Sequence, residues 1–171
     1  EQPEDKPALI AANGTLSYGE MARRSAAARS HFQQLGLRPG QHVMLAVSDD
    51  RQFMCLLLGA CSAGLTVMVA DPELPAAAAT ETLQRYEPNA IVLDQHLATL
   101  WHVADPTWLV EPEPKAQQGA LLRRLLGRPK VATSSLFSQL DATIHIQASI
   151  NVEPNDVALI FFTSGSTSLP K

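Results

Sequence analysis

The sequence predicts an α/β fold, a mostly parallel sheet flanked by helices on both faces. Three observations carry that expectation. Short apolar runs at His42–Val47, Leu65–Ala70, Ala90–Leu93 and Val157–Phe162 have the length of interior strands. The stretches between the first of them have helical patterning over roughly ten to fifteen residues, which is the size of a crossover helix in a βαβ unit. The junctions carry chain-turning residues, among them Pro39-Gly40, Gly64, Asp71-Pro72 and Glu87-Pro88.

Taken in order, Glu1–Pro7 is polar and proline-bearing and reads as a linker. Ala8–Ala12 and Thr15-Leu16 fit two short strands around Asn13-Gly14, a pair that tolerates the positive φ of a tight hairpin turn. Ser17 and Glu20 have the spacing of a capping box, so a helix starts there. Tyr18, Met21, Ser25, Ala28, Phe32 and Leu35 recur every three or four residues and mark its apolar face, and Gly36 ends it. After the strand His42–Val47, Asp49 and Asp50 are capping candidates for a helix at Phe53–Ala63. That helix is apolar nearly all round and is expected to be buried between layers.

Gly64 leads into the strand Leu65–Ala70. Pro75 and Ala76–Ala79 open the next helix, which Glu87-Pro88 closes. Leu97–Val103 reads as a short helix and Trp108–Val110 as a short strand. Residues 111–135 are polar, proline-interrupted and basic in part, and read as a surface insertion. Its Leu121–Leu126 patch with Arg123, Arg124, Arg128 and Lys130 is too short for stable membrane anchoring and fits a solvated helix. Ser134–Leu140 fits a further short helix and Thr143–Ala148 an alternating strand. Val157–Phe162 reads as a buried strand, and a sheet that ends on such a strand exposes an apolar face to be covered by further chain.

Bulk properties narrow the function. With 171 residues, 46% of them hydrophobic, the chain can build one sizeable core. A net charge of -4 argues against a nucleic-acid partner read across a basic face. Cys55 and Cys61 lie in an apolar segment and read as buried free thiols, which favours a reducing, cytoplasmic setting. The charged start is unlike a signal peptide, and the apolar run Phe53–Val69 is broken by Gly59, Ser62, Gly64 and Thr66, unlike a membrane span. Five scattered histidines lack metal-ligand spacing, and no G-x-S-x-G elbow accompanies any serine, so neither a metal site nor a nucleophilic hydrolase is expected. Asp49-Asp50, an adjacent carboxylate pair, is explained by capping.

The stretch with most chemical content is Thr163, Ser164, Gly165, Ser166, Thr167, Ser168, Leu169, Pro170 and Lys171. A strand emptying into hydroxyls, one glycine and a lysine gathers hydrogen-bond donors and a cation, the groups a polyphosphate needs. It is not a Walker A loop, because Pro170 stands before the lysine and the second glycine is absent. Composition alone is equally consistent with a flexible tail.

The loop resembles the phosphate-binding signature of the acyl-adenylate-forming (AMP-binding) enzymes, whose pattern runs approximately T-S-G-[ST]-T-G-x-P-K. Acyl-CoA synthetases, nonribosomal-peptide adenylation domains and luciferases share it. Ser168 departs from that pattern where a glycine is usual; its Cβ opposes a positive φ and bears on ATP affinity or loop mobility. Leu16–Met21, Leu35–Gly40, Phe53–Gly64 and Val67–Pro72 are similar to further segments of that superfamily in the same order.

The resemblance implies the first part of a large N-terminal domain, incomplete at residues 1–171. It implies a ligase that activates a carboxylic acid with ATP as an acyl-adenylate and passes the acyl group to a thiol, on coenzyme A or a carrier protein. Thr163, Ser164, Gly165, Ser166, Thr167, Ser168 and Lys171 are the implied phosphate-binding residues, with Mg2+ neutralising the leaving pyrophosphate. A fatty or aryl acid is the expected substrate. The implied acyl pocket, magnesium-binding glutamate and catalytic lysine all fall after Lys171, so this stretch is expected to be an excised, inactive piece with no catalytic residue of its own. A non-catalytic nucleotide-binding or scaffold module of the same fold is the competing reading.

Overall fold

A computed structural model describes residues 3–110 and 152–162. A 3-10 turn at Pro3–Asp5 precedes a hairpin of β1 (Pro7–Ala11) and β2 (Gly14–Ser17). Then follow α1 (Tyr18–Gln34), β3 (His42–Ala46), α2 (Asp50–Ser62), β4 (Thr66–Val69), α3 (Ala76–Tyr86), β5 (Ala90–Asp94), α4 (Gln95–Leu100), β6 (Trp108–Val110) and β7 (Leu159–Phe161). The last five strands form one sheet in the order β6-β5-β3-β4-β7, and every neighbouring pair is parallel. The doubly wound α/β architecture expected from the alternation is therefore present.

The helix ends follow from their residues. The Ser17 hydroxyl accepts the Glu20 N–H at 3.2 Å and caps α1. The reciprocal half of the box is replaced, because the Glu20 carboxylate pairs with Arg24 one turn on. At the other end Gly36, at φ 80°, lets Gly36 N–H reach the Gln33 carbonyl and Leu37 N–H reach the Phe32 carbonyl, a Schellman closure. Asp49 caps α2 by accepting from Arg51 and Gln52 N–H. In the hairpin Ala11 faces Gly14, so the turn is Ala12-Asn13 rather than Asn13-Gly14, and Asn13 has no positive φ. Its side-chain amide instead donates to Asp49 Oδ2 at 2.5 Å, tying the hairpin to the start of α2. The chain start, linker-like in composition, packs through Glu4 against Gly19 of α1, and Lys6 accepts the Tyr18 N–H at 3.0 Å.

Two apolar layers sandwich the sheet. On one face Val43, Leu45 and Val67 pack with Cys55, Leu56 and Ala60 of α2 and Ala28 and Phe32 of α1. On the other Met44, Met68 and Leu93 pack with Ala79 of α3 and with Leu97 and Trp101 at the end of α4. The Trp101 indole N–H donates to the Leu74 carbonyl at 3.2 Å, so the polar edge of this buried ring has its partner.

Packing corrects three expectations. Tyr18 and Leu35, placed on the apolar face of α1, are exposed, while Ala27 and Ser30 are buried. The cause is the approach of α1 to Gly59 through Ala28 and to Trp108 through Phe32, whose rings meet edge-on at 5.7 Å. α2 is not buried all round, since Leu58 opens to solvent. β7, expected to be a buried strand, is partly buried on one face only: Ile160 packs against the α3/α4 layer, whereas Leu159 and Phe161 are 38% and 62% exposed on the α1/α2 side. β7 pairs only with β4 among the described residues, and α2 packs over β3 and β4. The predicted elements at Ser134–Leu140 and Thr143–Ala148, and the insertion at 111–135 apart from its neighbour Val110, lie outside the described residues.

Candidate functional site

Ligands of parallel α/β sheets bind beyond the carboxyl ends of the strands, where loops meet and backbone donors are unpaired. Two places there merit comparison. The first is the switch point between β3 and β5, where β3 connects to one side and β5 to the other. Here the Asp94 carboxylate, 6% exposed, accepts the Ser48 N–H at 2.9 Å and joins the two strand ends. Asp49 is equally engaged, by the α2 N–H groups, Asn13 and Arg51. These carboxylates brace loops against each other.

Asp94 was not singled out from sequence. Its signal was a carboxylate closing an apolar strand, which in a parallel sheet places a charge at the ligand-binding edge. The capping role read for Asp49 is the one it has.

The second place is the end of β7. Val69 of β4 faces Phe161, so the chain leaves the sheet at Phe162 beside Ala70 and Asp71. Asp71 Oδ1 accepts the Glu73 N–H at 2.9 Å, turning the chain away from that edge and into α3. Phe162 anchors the exit, its ring 5.0 Å from that of Tyr86 at the end of α3. The predicted phosphate-binding residues Thr163, Ser164, Gly165, Ser166, Thr167, Ser168 and Lys171 follow directly and lie outside the described residues. What is described is the strand that delivers them, parallel to its neighbour and ending at the carboxyl edge.

Burial lowers the pKa of His31, whose ring lies tilted against that of Trp108 with centroids 4.1 Å apart, and raises that of the Cys61 thiol. Neither belongs to the ligand edge, because Trp108 opens β6 and Cys61 sits in the last turn of α2. Among the described residues no three His, Cys, Asp or Glu side chains come together as a metal site, and no helix is long and apolar enough to cross a membrane.

The described residues form a parallel α/β sheet flanked by helices, and the sequence continues from its strand β7 into the hydroxyl-rich Thr163–Lys171. Residues 1–171 match the AMP-binding enzyme family over their whole length, and the chain belongs to that family. Among curated proteins it is 27% identical over 169 residues to nonribosomal peptide synthetase 4 of Gibberella zeae, covering 99% of this chain and 2% of that one. It is 28% identical over 175 residues to HC-toxin synthetase of Cochliobolus carbonum, covering 100% of this chain and 3% of that one. Among solved structures, ATP-bound MatB from Rhodopseudomonas palustris superposes with a TM-score of 0.73 at 21% identity, covering 100% of this chain and 32% of the other. A benzoate CoA ligase from Burkholderia xenovorans LB400 gives 0.70 at 22% identity, covering 95% and 30%. At these identities the structures establish the shared fold. The chain spans a small part of the length of the curated relatives it matches.

Proposed function

We propose that this chain is the opening part of the nucleotide-binding domain of an ATP-dependent carboxylic acid ligase. The reaction joins an acid to the α-phosphorus of ATP, giving an acyl-adenylate and pyrophosphate, and then transfers the acyl group to a thiol. The observation that supports it most is the ordered set of motifs ending in Thr163–Lys171, in a chain that matches the family throughout.

In this reading the hydroxyls of Thr163, Ser164, Ser166 and Thr167 and the backbone at Gly165 donate to the β- and γ-phosphate oxygens, and Lys171 supplies positive charge. Ser168 adds a hydroxyl at the price of backbone freedom. Mg2+, when bound with ATP, would neutralise charge on the departing pyrophosphate. Its ligands are not assigned to residues 1–171.

The peptide synthetases among the relatives favour a carrier-protein thiol, and the coenzyme A ligase among the structures favours coenzyme A. The synthetases also move the acid away from the fatty or aryl class and towards an amino or related acid. The test is carboxylate-dependent exchange of pyrophosphate into ATP, with a panel spanning amino, aryl and fatty acids. The competing module reading expects ATP binding without exchange.

A further inference from the structure

The strand that precedes Thr163–Lys171 has no alternating pattern of its own. Val157, Ala158, Leu159, Ile160, Phe161 and Phe162 are all apolar, so the inward and outward alternation that normally fixes a strand's register is missing from the sequence. Yet β7 takes one register in the sheet, with Val67 facing Leu159, Met68 facing Ile160 and Val69 facing Phe161. Contacts at the two ends of the strand select it.

The Val67 N–H donates to the Ala158 carbonyl at 2.8 Å. The N–H of Leu65, next on that edge of β4, is taken by the Ala60 carbonyl at 3.0 Å and is not available to β7. At this point a side chain takes over from the main chain. Thr66, the polar residue in the apolar run Leu65–Ala70, is 4% exposed, and its hydroxyl donates to the Val157 carbonyl at 2.7 Å. A buried hydroxyl needs a partner, and this one finds it 91 residues along the chain. The place of the bond makes it selective. Val157 follows a closed turn, in which the Asp156 N–H donates to the Glu153 carbonyl at 3.0 Å and the Glu153 N–H to Asp156 Oδ2 at 2.9 Å. Thr66 therefore grips β7 where the turn delivers it, while the Phe162 ring meets Tyr86 at the other end. A slip of one residue, about 3.3 Å, would exchange the two faces of β7 and part Phe162 from Tyr86.

We propose that Thr66 is a positioning residue for nucleotide binding: its hydroxyl fixes the start of β7 against β4 and so sets the register in which the chain reaches Phe162, the residue before Thr163–Lys171. The proposal rests on the phosphate-binding reading of that sequence. Thr66→Val removes the hydroxyl at nearly the same volume, and Thr66→Ser keeps it. The two are compared with the natural sequence, in a protein containing this chain, by amide hydrogen exchange and by calorimetric ATP titration. Thr66→Val is expected to speed amide exchange in residues 157–162 by roughly tenfold while residues 42–46 of β3 stay protected. It is also expected to raise the Kd for ATP by about threefold or more, because only molecules in the native register bind fully. Thr66→Ser is expected to restore both. Thr66→Ala, which also lacks the hydroxyl, serves should the valine variant fail to fold. Faster exchange in β3 and β7 alike with an unchanged Kd would mark a merely structural role and overturn the proposal, as would loosening of β7 alone with an unchanged Kd. A natural protein that binds no ATP would instead overturn the phosphate-binding reading itself, and the proposal with it.

Discussion

The Phe162 ring packs 5.0 Å from that of Tyr86, so the last residue before the Thr163–Lys171 loop is fixed to the end of α3. Phe162→Ala is expected to destabilise the protein by about 2 kcal/mol, as for a partly buried aromatic. It is also expected to weaken ATP binding, because the loop loses its inner anchor. Urea unfolding and calorimetric ATP titration check the two effects, and intact ATP affinity in a folded variant would count against the anchoring role.

Gly59 and Ala28 set the distance between α1 and α2. A Cβ added at Gly59 would lie 2.6 Å from Ala28 Cβ and 2.8 Å from the Ser25 carbonyl oxygen. Gly59→Ala gains about 1 kcal/mol of helix propensity, yet overpacking costs about 1–3 kcal/mol, and backbone on the far side cannot yield cheaply. Net destabilisation is expected in thermal unfolding. Adding Ala28→Gly should restore only part of it, since the Ser25 contact persists.

Asp94 joins the ends of β3 and β5 by accepting the Ser48 N–H. Asp94→Ala leaves that N–H without its acceptor and is expected to cost about 1–3 kcal/mol, whereas Asp94→Asn keeps an acceptor oxygen and should cost less. Denaturant midpoints of the two variants give the comparison. Equal losses would show that the carboxylate charge, rather than the hydrogen bond, matters.

His31 is partly buried against Trp108, and burial lowers its pKa below the ordinary value of 6.5. The unfolded chain therefore takes up the proton first as pH falls. Stability is fully present above about 6.5 and declines between there and the lower folded-state value. His31→Gln should flatten the stability profile over that window. An unchanged slope would mean that other groups govern the acid side.

Much of this architecture was legible because local signals and tertiary packing agree. The S-x-x-E start of α1, Gly36 and Gly64 as stops, and Pro75 before α3 each have a backbone cause that acts within one turn. What the chain concealed depends on distant partners. Tyr18 and Leu35 fit the helical period of α1 yet are exposed, because the choice of face was made by Gly59 and Trp108. Asn13-Gly14 has the hairpin signal, but Asn13 bonds to Asp49, far along the chain, and the turn shifts by one residue. The run at β7 is apolar on both faces, and periodicity cannot tell that one of them lacks a described cover. The candidate loop is legible in the sequence as donors and charge, and the described structure ends at Phe162, the residue before it.

The central claim is that Thr163–Lys171 serves acid activation. It is tested most directly by ATP–pyrophosphate exchange in a protein containing this chain, comparing the natural sequence with Lys171→Ala and Ser168→Gly. The account predicts exchange that requires a particular carboxylic acid, falls at least tenfold with Lys171→Ala, and is retained or raised with Ser168→Gly, at about 1.4 kcal/mol per tenfold. Folded protein that binds ATP but exchanges no pyrophosphate with any acid in the panel, or whose exchange ignores Lys171, would contradict it.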